Sequence, residues 1–228
     1  VFRVDASSTV GMGHLSRCLN LATYLDKNKS NILFILKNSQ TRIIKNLINY
    51  YQFKYKFISS KVDNYKDDSS LTCEIVKNLF SDKVDWLIVD NYDLDFKWEK
   101  ICYSVSKKIL VIDDCANRKH FCDALLDQNY FKNYKIRYEN LVPKKTKLFL
   151  GPKYLLFAKN FFEYKKKVKI RSGEVKKILV FFGGGSQNII INKTLHSLKK
   201  LRNKYKFRVE LIVGNLDYNS KEINKFCV

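Results

Sequence analysis

Two apolar runs that each close on carboxylates constrain this chain most: Asp85-Trp86-Leu87-Ile88-Val89-Asp90 and Lys108-Ile109-Leu110-Val111-Ile112-Asp113-Asp114. Neither alternates polar with apolar residues, so each predicts a strand covered on both faces, as strands of a parallel sheet are. Similar strand patterns occur at Asn31 to Leu36 and Phe53 to Ile58, and shorter ones at Ala124 to Leu126 and Leu148 to Gly151. Helical spacing separates them, at Thr41 to Tyr50, Leu71 to Phe80 and Phe96 to Val105. This alternation predicts an α/β fold of parallel βαβ units. Ligands of such sheets gather beyond the carboxyl ends of the strands, and Asp5, Asp90, Tyr92, Asp113 and Asp114 all fall there.

At the front of the chain a short strand enters the turn Gly11-Met12-Gly13-His14, and apolar positions then recur at Leu15, Cys18, Leu19, Ala22 and Leu25 with helical period. Glycine lets backbone N–H groups approach a bound group closely, and a helix N-terminus favours anionic oxygens. His14 stands in the first turn of that helix, where the same field disfavours imidazolium and leaves the ring available as a base. A structural hydrogen bond near the helix cap is the plainer role for it. The pattern restarts later: Lys177 to Phe182 reads as a strand, Gly183-Gly184-Gly185-Ser186 as a glycine turn, Ile190 to Leu201 as a helix and Arg208 to Gly214 as a strand. Five of the eight glycines lie in these two turns, where close backbone approach matters. Two Rossmann-like domains facing a cleft are expected, at residues 1–160 and 177–228, with the lysine-rich 161–176 as linker. The second holds only two strands, so a truncated second domain is expected, and the chain opens inside a strand without methionine, so a few missing leading residues are expected.

Lys and Arg number 43 against 22 Asp and Glu, a formal charge of +21. The excess is spread along the chain, which reads as a solvated basic surface; an anionic substrate, a membrane surface or nucleic acid are the functional readings. The densest stretches, Lys144 to Lys147 and Lys165 to Arg171, carry no nucleic-acid motif, and no nucleic-acid partner is expected. No run approaches a membrane span and none resembles a signal peptide, so a cytoplasmic monomer is expected. The six cysteines are scattered in mostly apolar contexts and read as free buried thiols. Cys115, His120 and Cys122 lack the fourth ligand of a closed zinc site, and no metal or cofactor is expected.

The opening block FRVDASSTVGMGHLSRCLNLA resembles the signature of the UDP-2,4-diacetamido-2,4,6-trideoxy-β-L-altropyranose hydrolases of pseudaminic acid biosynthesis, relatives of spore-coat polysaccharide proteins. DWLIVDNYDLD, ILVIDD, HFCDALLDQN, GPKYLLF and ILVFFGGGS follow in that family's order. The resemblance implies a GT-B-like architecture and metal-free hydrolysis of a UDP-linked deoxy-diacetamido sugar. His14 would be the general base and Tyr92 would help to hold the water. It also implies substrate contacts from Ser8, Gly11, Gly13, Asp90, Asn129, Gly184, Gly185 and Ser186, and a role in glycan assembly such as flagellin glycosylation. Ala158 stands where the family places a substrate-binding arginine, with Lys153 or Lys159 as partial replacements, and Ser186 stands where aspartate is common. A GT-B glycosyltransferase acting on a UDP-sugar, or a basic binding protein without turnover, are the alternatives. Asp90 and Asp113 have the competing role of fixing loop backbone.

Overall fold

The computed structural model describes residues 1–7, 11–25, 30–38, 42–170, 172–183, 188–213 and 226. It divides into two units, one of Val1–Ala6 with His14–Lys159 and the other of Ser7–Gly13 with Asn160–Val228.

The first unit is a seven-stranded sheet built from β1 (Phe2–Val4), β2 (Leu33–Lys37), β3 (Lys54–Ile58), β4 (Val84–Asp90), β5 (Ser106–Ile112), β6 (Ala124–Asp127) and β7 (Lys147–Leu150). The strand order is β3-β2-β1-β4-β5-β6-β7, and every pairing is parallel. Four helices flank it, α1 (Gly13–Thr23), α2 (Arg42–Tyr50), α3 (Tyr65–Leu79) and α4 (Phe96–Cys102), giving the Rossmann-like α/β arrangement. The apolar runs that lack alternation form the central strands: Leu87, Ile109, Val111 and Leu125 are fully or almost fully buried, with Trp98 of α4 packed among them. Strand order reverses between β1 and β4, so their carboxyl ends are the topological switch point of the sheet, the place where such folds bind ligands. There Val4 pairs with Asp90.

β1 carries a buried polar face as well as an apolar one. Phe2 stacks on Phe34 with ring centroids 4.7 Å apart. Arg3, fully buried, donates from Nε and Nη2 to the Asp68 carboxylate of α3 at 3.0 and 2.6 Å and also engages Asp5. Asp5 further accepts from Lys37 N and Asn91 Nδ2, both at 2.7 Å, tying the ends of β1, β2 and β4 together.

Helix boundaries of the first unit differ from the sequence pattern. α3 starts at Tyr65 instead of Leu71, because Asn64 caps it by accepting from Lys66 N and Asp67 N. Its first turns are polar but hold Asp67 and Asp68, which suit the positive end of a helix. α4 stops at Cys102, and β5 already begins at Ser106. α1 ends at Thr23, so Leu25 lies beyond it and is exposed.

In the second unit, α5 (Asn160–Lys165) forms a short helix within the lysine-rich stretch. β8 (Lys177–Phe181) and β9 (Arg208–Ile212) pair in parallel, joined through α6 (Asn188–Arg202). α6 buries Ile191 and Leu195 against Phe182, Leu211, Val213 and Phe226. Near the front of the chain, Gly11 N donates to Ser7 O at 2.8 Å with φ +81°. A Cβ at Gly11 would meet nothing within 4 Å, so Gly11→Ala is strained through its backbone alone. It should lower stability by about 1–2 kcal/mol, read as a fall in the urea midpoint at unchanged slope.

Candidate active site

Helix α1 follows β1, and its first turn delivers His14 to the end of β4. His14 Nδ1 lies 2.5 Å from Asp90 Oδ1. A carboxylate only accepts, so Nδ1 carries the shared proton, and in the neutral ring Nε2 is left as the acceptor. One turn on, Arg17 lays its fork across the same carboxylate, with Nε to Oδ2 and Nη2 to Oδ1 at 2.6 Å each. Arg17 Nη2 is also 3.1 Å from His14 Nδ1, two donors crowding one oxygen. Asp90 is buried, which pushes its pKa up, but Arg17 and His14 outweigh that and hold it below the ordinary carboxylate value. Arg17 Nη1 reaches Asp114 Oδ2 at 2.9 Å, and Tyr92 Oη donates to Asp114 Oδ1 at 2.7 Å. The rings of His14 and Tyr92 meet edge to face with centroids 4.6 Å apart. His14 is 8% exposed and Tyr92 45%, so the tyrosine forms the outer wall of a cluster rooted in the sheet.

Of the residues singled out in the sequence, His14, Asp90 and Tyr92 are brought together. Asn129 stands after β6, two strands from β4 on the same carboxyl edge, and is exposed. Its backbone N–H donates to Asp127 Oδ1 at 3.0 Å. Gly13 opens α1, and Gly11 closes the turn before it. Ser8, Gly184, Gly185 and Ser186 lie outside the described residues. Ala158 is half-buried on a segment held by Asn20 Nδ2 to Leu156 O and Tyr24 Oη to Phe157 O. Lys159 lies over the Tyr24 ring and Lys153 over Tyr154. Sequence reasoning missed Arg17 and gave Asp114 no more than a strand-end position. The available signal was a cation three residues after His14, a spacing that makes the two neighbours on one helix face.

Asp113 is engaged with backbone and neighbouring side chains. It accepts from Arg118 Nη1 at 2.7 Å, Ala116 N at 2.9 Å and Tyr138 Oη at 3.0 Å. Burial pushes its pKa up, but His120, Arg118 and the Ala116 N–H hold it well below the ordinary carboxylate range. His120 Nδ1 pairs with Glu99 Oε1 at 2.7 Å. Its Nε2 stands 3.9 Å from Asp113 Oδ2, too far for a hydrogen bond. Burial disfavours the charged ring, yet Asp113 and Glu99 outweigh it and raise the His120 pKa. All five described cysteines are free, four of them buried and Cys115 exposed. Among the described residues no group of three His, Cys, Asp or Glu side chains is placed to hold a metal, and no helix is long and apolar enough to cross a membrane.

These shifts set a pH dependence. Asp90, Asp113 and Asp114 have lowered folded pKa values, so their stabilisation is present above the unfolded value, about 3.9, and is lost as pH falls through the lower folded values. His120 acts the other way: its contribution is present below the unfolded value near 6.5 and fades as pH rises through its raised folded value. Thermal melts across this range should show both declines. His120→Gln should flatten the upper one, and an unchanged slope there removes His120 as its source.

No protein-family profile matches the chain. It is 29% identical over 167 residues to the UDP-2,4-diacetamido-2,4,6-trideoxy-beta-L-altropyranose hydrolase of Campylobacter jejuni, covering 73% of this chain and 54% of that protein. It is 27% identical over 223 residues to an uncharacterized protein of Methanocaldococcus jannaschii, covering 96% of this chain and 43% of the relative. The chain therefore spans about half the length of the curated relatives it matches.

Proposed function

We propose that the chain is part of an enzyme that hydrolyses a UDP-linked 2,4-diacetamido-2,4,6-trideoxy sugar, with His14 as the general base. The observation that carries this reading is the His14–Asp90 dyad at the switch point of a parallel sheet. The carboxylate orients the imidazole through Nδ1, and Nε2 then removes a proton from water as that water attacks the anomeric carbon. The sugar C1–O bond breaks, UDP leaves with the bonding pair, and the water oxygen ends on the sugar. Tyr92 lies beside the ring and supplies an oxygen toward the same water. Asp90 acts through His14, as a positioning residue.

In this reading the two units belong to a GT-B-like pair of Rossmann-like domains, with boundaries at 1–160, 161–176 and 177–228. Asn129 is the proposed substrate contact of the first unit, and Ser8, Gly11, Gly13, Gly184, Gly185 and Ser186 are proposed as contacts from the sequence resemblance. The similarity to the Campylobacter hydrolase supports the nucleotide-sugar class. The test is incubation of the full-length protein with the diacetamido UDP-sugar, without any acceptor and with UDP measured. Stoichiometric UDP and free sugar are expected. Release that depends strictly on an added hydroxyl acceptor would assign the protein to the glycosyltransferases instead.

A further inference from the structure

The proton directions in the His14 cluster say more about its ligand than the residue types do. Two carboxylates, both acceptor-only, lie at opposite ends of the Arg17 fork. Asp90 takes the His14 Nδ1 proton, and Asp114 takes the Tyr92 phenolic proton at 2.7 Å. Arg17 holds both carboxylates, with three of its nitrogens bonded at 2.6 to 2.9 Å and its side chain 10% exposed. Arg17 and Tyr92 also hold Asp114 ionised, against the effect of its burial. With both protons committed inward, the positions of the two touching rings that no described residue engages are lone pairs: Nε2 of His14 and the second lone pair of Tyr92 Oη.

We propose that Arg17 and Asp114 are a positioning pair that fixes these proton directions, so that the site takes a ligand donating two hydrogen bonds and prefers water to an alcohol as nucleophile. Water satisfies both lone pairs. An alcohol has one hydroxyl proton and leaves one acceptor unpaired in a partly covered site, which is the kind of mismatch that enzymes discriminate against strongly. The preference for water rests on the reading of His14 as the base, whereas the proton directions do not.

The decisive variant is Asp114→Asn. Its amide can donate to the phenol, which frees the Tyr92 proton to point outward. Two measurements are made on the full-length protein. The first needs no turnover: nitrogen-15 spectra of the histidines and carbon-13 spectra of Cζ-labelled tyrosine, with His14→Asn and Tyr92→Phe assigning the signals. The native protein should show His14 as the Nδ1–H tautomer. Burial first and Asp114 second raise the Tyr92 pKa, so Asp114→Asn should bring its ionisation down by roughly one pH unit. Arg17→Gln, which removes the fork, should broaden or shift both signals even if Asp114→Asn folds poorly. An Nε2–H tautomer, or a Tyr92 titration indifferent to Asp114, overturns the proposal.

The second measurement is turnover in molar methanol. The native enzyme should yield free sugar, and Asp114→Asn should raise the proportion of methyl glycoside about tenfold. An unchanged proportion overturns the preference for water even if the tyrosine titration moves. Absence of UDP release by the native enzyme overturns the hydrolase reading and the water preference with it, while the spectra still decide the positioning pair.

Discussion

Replacing His14 by Asn should reduce UDP release from the diacetamido UDP-sugar by roughly 10²–10⁴-fold, the usual contribution of a positioned general base. The fold should survive, because the shape and polarity of the site change little. An asparagine amide can still donate to Asp90, and Arg17 still neutralises that buried carboxylate with two bonds at 2.6 Å. The loss should therefore fall on kcat, with KM and the thermal midpoint close to native. Asp90→Asn should also lower kcat, since the dyad then lacks the anion that orients the ring, but it should lower the thermal midpoint as well, because buried Arg17 loses the charge of the carboxylate that takes two of its bonds. Native turnover in His14→Asn would remove the imidazole from the chemistry and leave the cluster as packing.

Asp68→Ala should be strongly destabilising to the first unit. Its carboxylate accepts from Arg3 Nε and Nη2 and from Trp98 Nε1 at 2.9 Å, with Arg3 and Trp98 fully buried and Asp68 1% exposed. Truncation strands one face of a buried guanidinium and an indole N–H, with Asp5 alone left beside Arg3. Removing one of the two carboxylates from a buried guanidinium and the acceptor from a buried indole N–H costs about 1–3 kcal/mol for each stranded group, more for the charged one, or about 3–5 kcal/mol together. In a domain of this size that lowers the midpoint by roughly 6–20 °C. The exposed pair Lys107–Asp85 is the control: its side chains are 60% and 82% exposed, and Lys107→Ala should leave the melt unchanged. Equal effects from the two variants would mean that the Arg3–Asp68–Trp98 cluster is not the anchor that its burial implies.

The Asp68 cluster also marks where reading the chain stopped working. Arg3 sits in a stretch that reads simply as a short first strand, and Asp68 in a polar segment ahead of the expected helix start. Their contact joins positions 65 residues apart. Local pattern carries no information about such a pair, because each residue alone looks like an ordinary exposed charge. The N-terminal turns of α3 were hidden for a related reason: Asn64, Asp67 and Asp68 satisfy the helix end through hydrogen bonds and the dipole, not through apolar period.

The sequence by itself determined the α/β class and the positions of the inner strands of the main sheet, because strands covered on both faces are largely apolar and so announce themselves. It also brought forward His14, Asp90 and Tyr92, since a residue at a strand's carboxyl end or in a helix's first turn has its place in a parallel sheet set by topology. Only the tertiary structure decided that these three touch. It alone supplied Arg17 and joined Asp114 to the cluster, and with them the direction in which each proton points. Hydrogen-bond polarity depends on which acceptor stands opposite each donor, and those partners come from strands and helices up to 97 residues apart in the chain.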